Sequence, residues 1–284
     1  MTTALREGGA TGPVWEIRSE SGVPSLNFGE LWDCRSLFGF LIWRDIKVRY
    51  AQTLLGVAWV VLRPLATMLI FAPIFGRLAG IPSDGVPYPA FALVALVAWT
   101  YFAGALGSAS NSLIEQAEVI GKVYYPRLFV PLAPVASDLL DSGVALGLLV
   151  PVLVVLGLVP SAPPILSLPL LFLVAACTAA GVGAGLAALT LRYRDFRYVV
   201  PFLIQGWMFA SPVVYPTSLM PEGYRVLYAL NPMVGVIEGC RWALLGTPAP
   251  GASVLAASAG SAAVLFFAGA LYFRWAERTM VDLA

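Results

Sequence analysis

Long apolar stretches separated by short polar ones dominate the chain, and their lengths match a membrane rather than a soluble core. A helix needs about 20 mainly apolar residues to cross the roughly 30 Å hydrocarbon layer. Val57 to Ala79, Pro89 to Ser110, Val130 to Val159, Ile165 to Leu191, Val199 to Tyr215 and Ala252 to Phe273 are predicted as six spans on that basis, the fifth being short. Between the fifth and sixth lies Ser211 to Gly246, apolar but interrupted by Pro212, Pro216, Pro221 and Pro232. Each proline removes a backbone donor and interrupts helical geometry, so this stretch is not one straight helix. A re-entrant pair of short helices over about residues 216–246 reconciles its apolarity with its prolines, because non-helical backbone is tolerated at membrane depth where protein covers it. The predicted fold class is an all-α integral membrane protein with six transmembrane helices.

Ahead of the first span, residues 30–50 contain good helix formers without proline, and Asp45 with Arg49 has the favourable i,i+4 spacing. The polar positions do not form one stripe: Arg44 and Lys47 share one face, Asp45 and Arg49 another. Such a helix suits the headgroup interface, partly on lipid and partly on protein. Gly56 then permits a turn into the first span. Residues 1–29 are polar and broken by Gly and Pro, with no apolar run of the signal-peptide kind, and read as a cytosolic tail. The domain plan is therefore a tail at 1–29, an amphipathic interface or gate helix at 30–55, and one membrane domain at 56–284.

Orientation follows the Lys and Arg bias of the loops. Arg35, Arg44, Lys47 and Arg49, then Lys122 and Arg127, then Arg192, Arg194 and Arg197, then Arg274 and Arg278 fall on one side; Arg77, Arg225 and Arg241 fall on the other. Both termini are predicted to face the cytosol.

Composition supports the membrane reading and removes several chemistries. Of 284 residues, 59% are hydrophobic and 12% charged, against roughly 25% charged in a soluble domain. Lys and Arg total 17 against 16 Asp and Glu, which gives no argument for nucleic acid as a partner. Histidine is absent, removing the commonest general base and metal ligand. Cys34, Cys177 and Cys240 are odd in number and far apart, so neither a zinc site nor a disulfide framework is indicated. The sequence has no phosphate-binding loop of the form GxxxxGK followed by Ser or Thr, so ATP, if used, is bound by another chain.

Four constellations carry candidate chemistry. Arg44, Lys47 and Arg49 fit either a positive-inside anchor or an entrance attracting an anionic headgroup or pyrophosphate. Arg63, inside the first span, either snorkels to the interface or faces a cavity. Between spans two and three, Glu115, Glu118 and Lys122 fall at helical spacing, with Pro126 and Arg127 following; a short helix there suits docking to a soluble partner, and a solvated loop competes. Asp138 and Asp141 share a face of span three, where they relay protons, cap helix ends or pair with Arg63 or Arg127. Aromatic residues near span ends, among them Trp59, Trp99, Tyr101, Phe102 and Trp207, fit an interfacial belt or flat faces for sugar rings.

Four segments, "WRDIKVRYAQTLLGVAWVVLRPLATMLIFAPIFG", "VIGKVYYPRLFVPLAPVASDLLD", "LRYRDFRYVVPFLIQGWMFASPVVYP" and "LNPMVGVIEGCRWALLG", resemble, in order and in one register, the membrane permeases of the ABC-2 polysaccharide exporters of O-antigen, capsule and teichoic acid. The resemblance covers roughly residues 30–275. It implies a homodimeric, multi-pass protein of the bacterial inner membrane, bound to two copies of a separate ATPase that holds ATP and Mg, with no cofactor, metal or catalytic residue in this chain. The implied cargo is a glycan on undecaprenyl diphosphate. By the same resemblance Arg44, Lys47, Arg49 and Arg63 lie at the headgroup entrance. Glu115, Glu118, Lys122 and Arg127 belong to a coupling element at about 111–128. Trp59, Trp99, Tyr101, Phe102 and Trp207 line a glycan channel. An ABC-2 exporter of drugs or small lipids shares the plan; a proton-coupled transporter using Asp138 and Asp141, and a membrane-embedded glycosyl or phosphoryl transferase, are the competing classes.

Overall fold

The computed structural model describes residues 28–51, 56, 58–116, 126–155, 157–158 and 162–280. Among these every regular element is helical: α1 Phe28–Asp33, α2 Arg35–Tyr50, α3 Ala58–Phe71, α4 Tyr88–Glu115, α5 Phe129–Val155, α6 Ala162–Ile165, α7 Leu168–Arg192, α8 Phe196–Phe209, α9 Glu222–Tyr228, α10 Pro232–Leu245 and α11 Ala252–Met280. A π-helical turn, Ala72–Leu78, extends α3, and a 3-10 turn covers Thr217–Leu219. Pro73 accounts for the first: without its N–H the α-helical ladder cannot continue, and Ala79 N–H donates to the Ile74 carbonyl five residues back.

Five helices are long and apolar enough to cross a membrane: Ala58–Leu78, Tyr88–Glu115, Phe129–Val155, Leu168–Arg192 and Ala252–Glu277. They coincide with five of the six predicted spans. The predicted fifth span, Val199 to Tyr215, is instead α8, with 14 residues; at 1.5 Å per residue it reaches about 21 Å. Ala210 and Ser211 turn out of the helix, and Pro212 cannot supply the N–H that would extend it. The Pro-broken stretch does form two short helices, α9 and α10. Asn231 caps α10, its side chain accepting from Met233 N–H at 3.1 Å, Pro232 starts it, and Gly246 ends it in the left-handed conformation at φ 69°. The helix predicted over residues 30–50 is broken at Cys34 into α1 and α2. Gly56 has φ 47°, the turn expected of it before the first span.

α4 is the axis of the bundle. It packs against α3, α5, α7, α8 and α10 and is buried along most of its length, whereas α3 buries only Pro64. Close approach depends on small residues. A Cβ at Gly181 would strike the Leu265 carbonyl, one at Gly269 the Gly181 carbonyl, and one at Gly183 would lie 2.6 Å from the Ala109 Cβ. Backbones therefore touch between α7 and α11, the packing that apolar surroundings favour when burial alone provides no drive. Hydroxyls inside the spans satisfy themselves locally: Ser110, Ser112, Ser137, Ser142, Thr178 and Thr190 each donate to a carbonyl three or four residues earlier.

The two ends of the bundle differ. At one end Leu41 of α2 packs with Leu113 near the end of α4, Phe129 and Ala133 at the start of α5, Ala187 near the end of α7 and Phe273 of α11. At the other, Tyr88 in the first turn of α4 donates from its hydroxyl to the Val214 carbonyl at 2.8 Å. Because α8 begins beside the end of α7 and Val214 lies beside the start of α4, the chain between Phe196 and Val214 passes from the first end to the second.

Candidate functional site

Two arginines, one at each end, organise the polar groups. Arg49 lies in the last turn of α2, where a cation complements the helix dipole. Across from it, Ser137, Asp138 and Asp141 share one face of α5 at i, i+1 and i+4. Arg49 Nη1 bonds Asp138 Oδ1 and, at 2.5 Å, Asp141 Oδ2; Nη2 donates to Ser137 Oγ at 3.4 Å. The Arg49 side chain is 34% exposed, and those of Asp138 and Asp141 10% and 15%. Burial lowers the Arg49 pKa, but the two carboxylates outweigh it and the net shift is upward, so the guanidinium stays charged. The neighbouring Tyr50 phenol is held well above its usual range by burial and then by the Asp141 carboxylate. Gly104 of α4 borders this cluster: a Cβ there would meet Asp138 Oδ2 at 3.4 Å, an ordinary contact distance.

The local pairing expected of Asp45 and Arg49 does not form. Asp45 takes Arg44 at 2.8 Å, and Arg49 reaches a partner 92 residues away. Nor do Arg63 and Arg127 take the aspartates, the pairings considered from the sequence. Lys47 and Arg63 are exposed, and so are Trp32, Phe40, Trp43 and Val48 on α1 and α2, a mixture of cations and large apolar groups that suits a headgroup layer.

At the opposite end Arg241 of α10 is 0% exposed. Its Nη1 donates to Glu238 Oε1 at 3.0 Å, Nη2 to the Val213 carbonyl at 2.9 Å and Nε to the Phe91 carbonyl at 3.4 Å, while the guanidinium carbon stands 3.4 Å from the Phe91 ring centroid. Glu238 Oε1 also accepts from Thr217 N–H at 3.4 Å. One side chain thus joins α10, α4 and the segment after α8. Nearby, Asn231 accepts from Trp207 Nε1 at 2.8 Å and donates to the Ala210 carbonyl and Ser211 Oγ at 2.9 Å. Ser258 of α11 donates to the Ala229 carbonyl at 3.0 Å and accepts from Gly235 N–H at 3.1 Å, so the α9–α10 turn sits against the second turn of α11. Sequence reasoning used Arg241 only as a topology marker. The signal available was Glu238 and Arg241 at i,i+3 inside an otherwise apolar helix.

The aromatic candidates separate by position. Trp99, Tyr101 and Phe102 are buried inside the subunit, with Trp99 on Phe102 at 5.3 Å, Tyr101 on Phe172 at 5.4 Å and Phe102 edge-on to Trp207 at 5.0 Å. Within one chain their faces are taken by neighbours, so the structure does not support them as a free sugar-binding surface. Trp59 is 48% exposed, and Trp207 is partly so. Of the coupling residues, Glu115 is exposed at the end of α4 and Arg127 is half-buried before α5; Glu118 and Lys122 lie outside the described residues.

Residues 36–245, which run from α2 to the end of α10 and enclose both arginine clusters, match the family model described as ABC-2 type transporter. The chain belongs to the ABC-2 type transporter family. This ABC-2 chain is 28% identical over 250 residues to the O-antigen export system permease protein RfbA of Myxococcus xanthus, covering 86% of this chain and 94% of that protein. It is 28% identical over 215 residues to the Klebsiella pneumoniae protein of the same name, covering 76% and 81%. To the polysialic acid transport protein KpsM of Escherichia coli it is 25% identical over 246 residues, covering 85% and 93%. The ABC-2 assignment and the five long apolar helices together make it a multi-pass membrane permease subunit.

Proposed function

We propose that this ABC-2 subunit exports a glycan carried on undecaprenyl diphosphate from the cytosolic to the outer face of the bacterial inner membrane, as a homodimer driven by two copies of a separate ATPase. The observation that carries this reading is the near full-length similarity to permeases named for O-antigen export, which runs through both charged clusters. In this reading both termini are cytosolic, α2 lies in the cytosolic headgroup layer, and the segment Phe196 to Val214 supplies a sixth crossing. The α9–α10 hairpin is then re-entrant from the outer side, its tip held by Asn231 and Ser258. Lys47 and Arg63, exposed at the α2 end, attract the diphosphate; Arg44 and Arg49 share that end but are engaged by carboxylates. Glu115, Glu118, Lys122 and Arg127 serve in docking the ATPase. Of the five aromatic candidates, Trp59 and Trp207 are those with surface left exposed by this subunit, where a second copy would complete a sugar path.

The same geometry weakens the proton-coupled alternative. Asp138 and Asp141 are tied by Arg49 to a helix outside the spans, an arrangement that locks carboxylates rather than passing protons along a path. The test is native mass spectrometry of the chain extracted gently from its own membranes. The expected result is two copies of this chain with two of a phosphate-binding-loop ATPase, carrying lipid-linked glycan mass. A stable assembly without an ATPase would overturn the reading. An ATPase-bound assembly carrying only small lipids would move the cargo to the drug or small-lipid class.

A further inference from the structure

We propose that Arg49 is a positioning residue that docks α2 on α5, rather than a receptor for the anionic headgroup of a cargo. The inference rests on the permease reading for its setting but on the cluster itself for its content. Three observations carry it. The first is charge: one guanidinium faces two carboxylates, so the group of Arg49, Asp138 and Asp141 sums to one negative charge and repels an arriving phosphate. The second is occupancy, because Nη1 is shared by both aspartates and Nη2 is directed at Ser137. Carboxylates carried by the same chain act at an effective concentration that a free anion does not match.

The third observation is placement. α2 meets the bundle at two points along its length. In its first half, Leu37, Phe38, Leu41 and Ile42 form an apolar seam in which the Phe38 ring lies 5.0 Å from that of Phe129. At its last turn the polar grip of Arg49 takes over, immediately before Ala51 leaves the helix with ψ 130°. An apolar seam tolerates sliding and rotation; a guanidinium shared between two carboxylates does not, because its planar fork fixes direction as well as distance. The seam therefore brings α2 to the surface, and Arg49 sets its register there. Release of that grip frees the end of α2 next to the first span and lets the helix slide and rotate on the seam, so that Phe38 and Phe129 face one another for less of the time.

The experiment is a crosslinking measurement on the full chain in membranes. Phe38→Cys and Phe129→Cys are introduced together after Cys34, Cys177 and Cys240 are replaced by Ser, and the initial rate of disulfide formation under copper phenanthroline is followed. Arg49→Gln and the double change Asp138→Asn with Asp141→Asn are each expected to slow crosslinking by about fivefold, the loss of charge-assisted hydrogen bonds. Arg49→Lys, which keeps the charge but not the fork, should fall between. Millimolar inorganic pyrophosphate should leave the parent rate unchanged. A parent-like rate in both Arg49→Gln and the double Asn variant would overturn the proposal, as would pyrophosphate slowing the parent as much as Arg49→Gln does, since Arg49 would then be an anion receptor. If Arg49→Gln fails to accumulate, the double Asn variant, with near-isosteric neutral side chains, decides the matter alone. The crosslink reports α2 with or without an ATPase present, so its failure leaves the transport reading standing.

Discussion

Arg49 and Arg241 are both arginines held by acidic residues, and they solve opposite problems. Arg241 is sealed in the bundle, and its partners are an acid one turn away on its own helix, two backbone carbonyls and an aromatic face. Each of its three nitrogens has an acceptor on elements that are themselves packed, so the ion pair is part of the core. Arg49 is a third exposed, and its partners all lie on another helix far along the chain. Water reaches it, and nothing but side chains joins the two elements there. The contrast separates a polar group that makes the fold from one that sets how a peripheral helix sits on it. A buried charge is costly to leave unpaired, whereas a partly solvated one can exchange partners at moderate cost.

The sharpest test of that contrast is Arg241→Ala. It strands Glu238 in an apolar environment, and stability should drop by about 3–5 kcal/mol, seen as a large fall in melting temperature or as loss of the folded protein from membranes. Removing both charges with Arg241→Met and Glu238→Gln should recover much of that loss, because neither change then leaves a bare ion. At the other end, Arg49→Gln should cost about 1–3 kcal/mol, since it leaves two adjacent carboxylates facing one another, and single Asp138→Asn less than that, because Asp141 still holds the guanidinium. Equal losses at Arg49 and Arg241 in the melting curves would erase the distinction. Asn231→Ala removes the cap of α10 and the link to Trp207 without touching Arg241, and should cost about 1 kcal/mol. Lys47→Gln, exposed on α2, should lie within about 0.5 kcal/mol of the parent in stability, so any loss of export it causes reports on cargo rather than on folding.

The sequence was most informative where one physical demand acts alone. Crossing a hydrocarbon layer requires an uninterrupted apolar run, and five of the predicted runs became long helices within a few residues of their predicted starts. The predicted fifth, Val199 to Tyr215, did not, because Gly206, Ser211 and Pro212 compete with apolarity, and a hydropathy argument alone is blind to the turn that ends α8. Pro232 was read only as a helix breaker, whereas Asn231 followed by Pro232 carries the local cap and first-turn chemistry that starts α10. Partners were harder. Asp45 stands at the ideal spacing for Arg49, and only the packing of α2 across α5 brings Asp138 and Asp141 within reach instead. The same holds for the aromatics: Trp99, Tyr101 and Phe102 lie on α4, and no feature of their own segment reveals that this helix is surrounded on all sides by five others. Centrality is a property of the whole arrangement, which is why the burial of those three within the subunit is not visible in their own segment.

The glycine contact between α7 and α11 limits how such a protein can work. With Gly181 and Gly269 bringing main chain against main chain, neither helix can rotate about its own axis without driving an α-carbon into a carbonyl. Alongside them α4 is locked to α7 through Gly183 and Ala109. These three helices act as a keel, a stiff slab that moves as one piece or not at all. Any opening that admits a cargo is then borne by the members fastened to the keel only at its edge: α3, which buries a single proline, α8, which buries only Val200, and α2, held by its seam and its last-turn arginine.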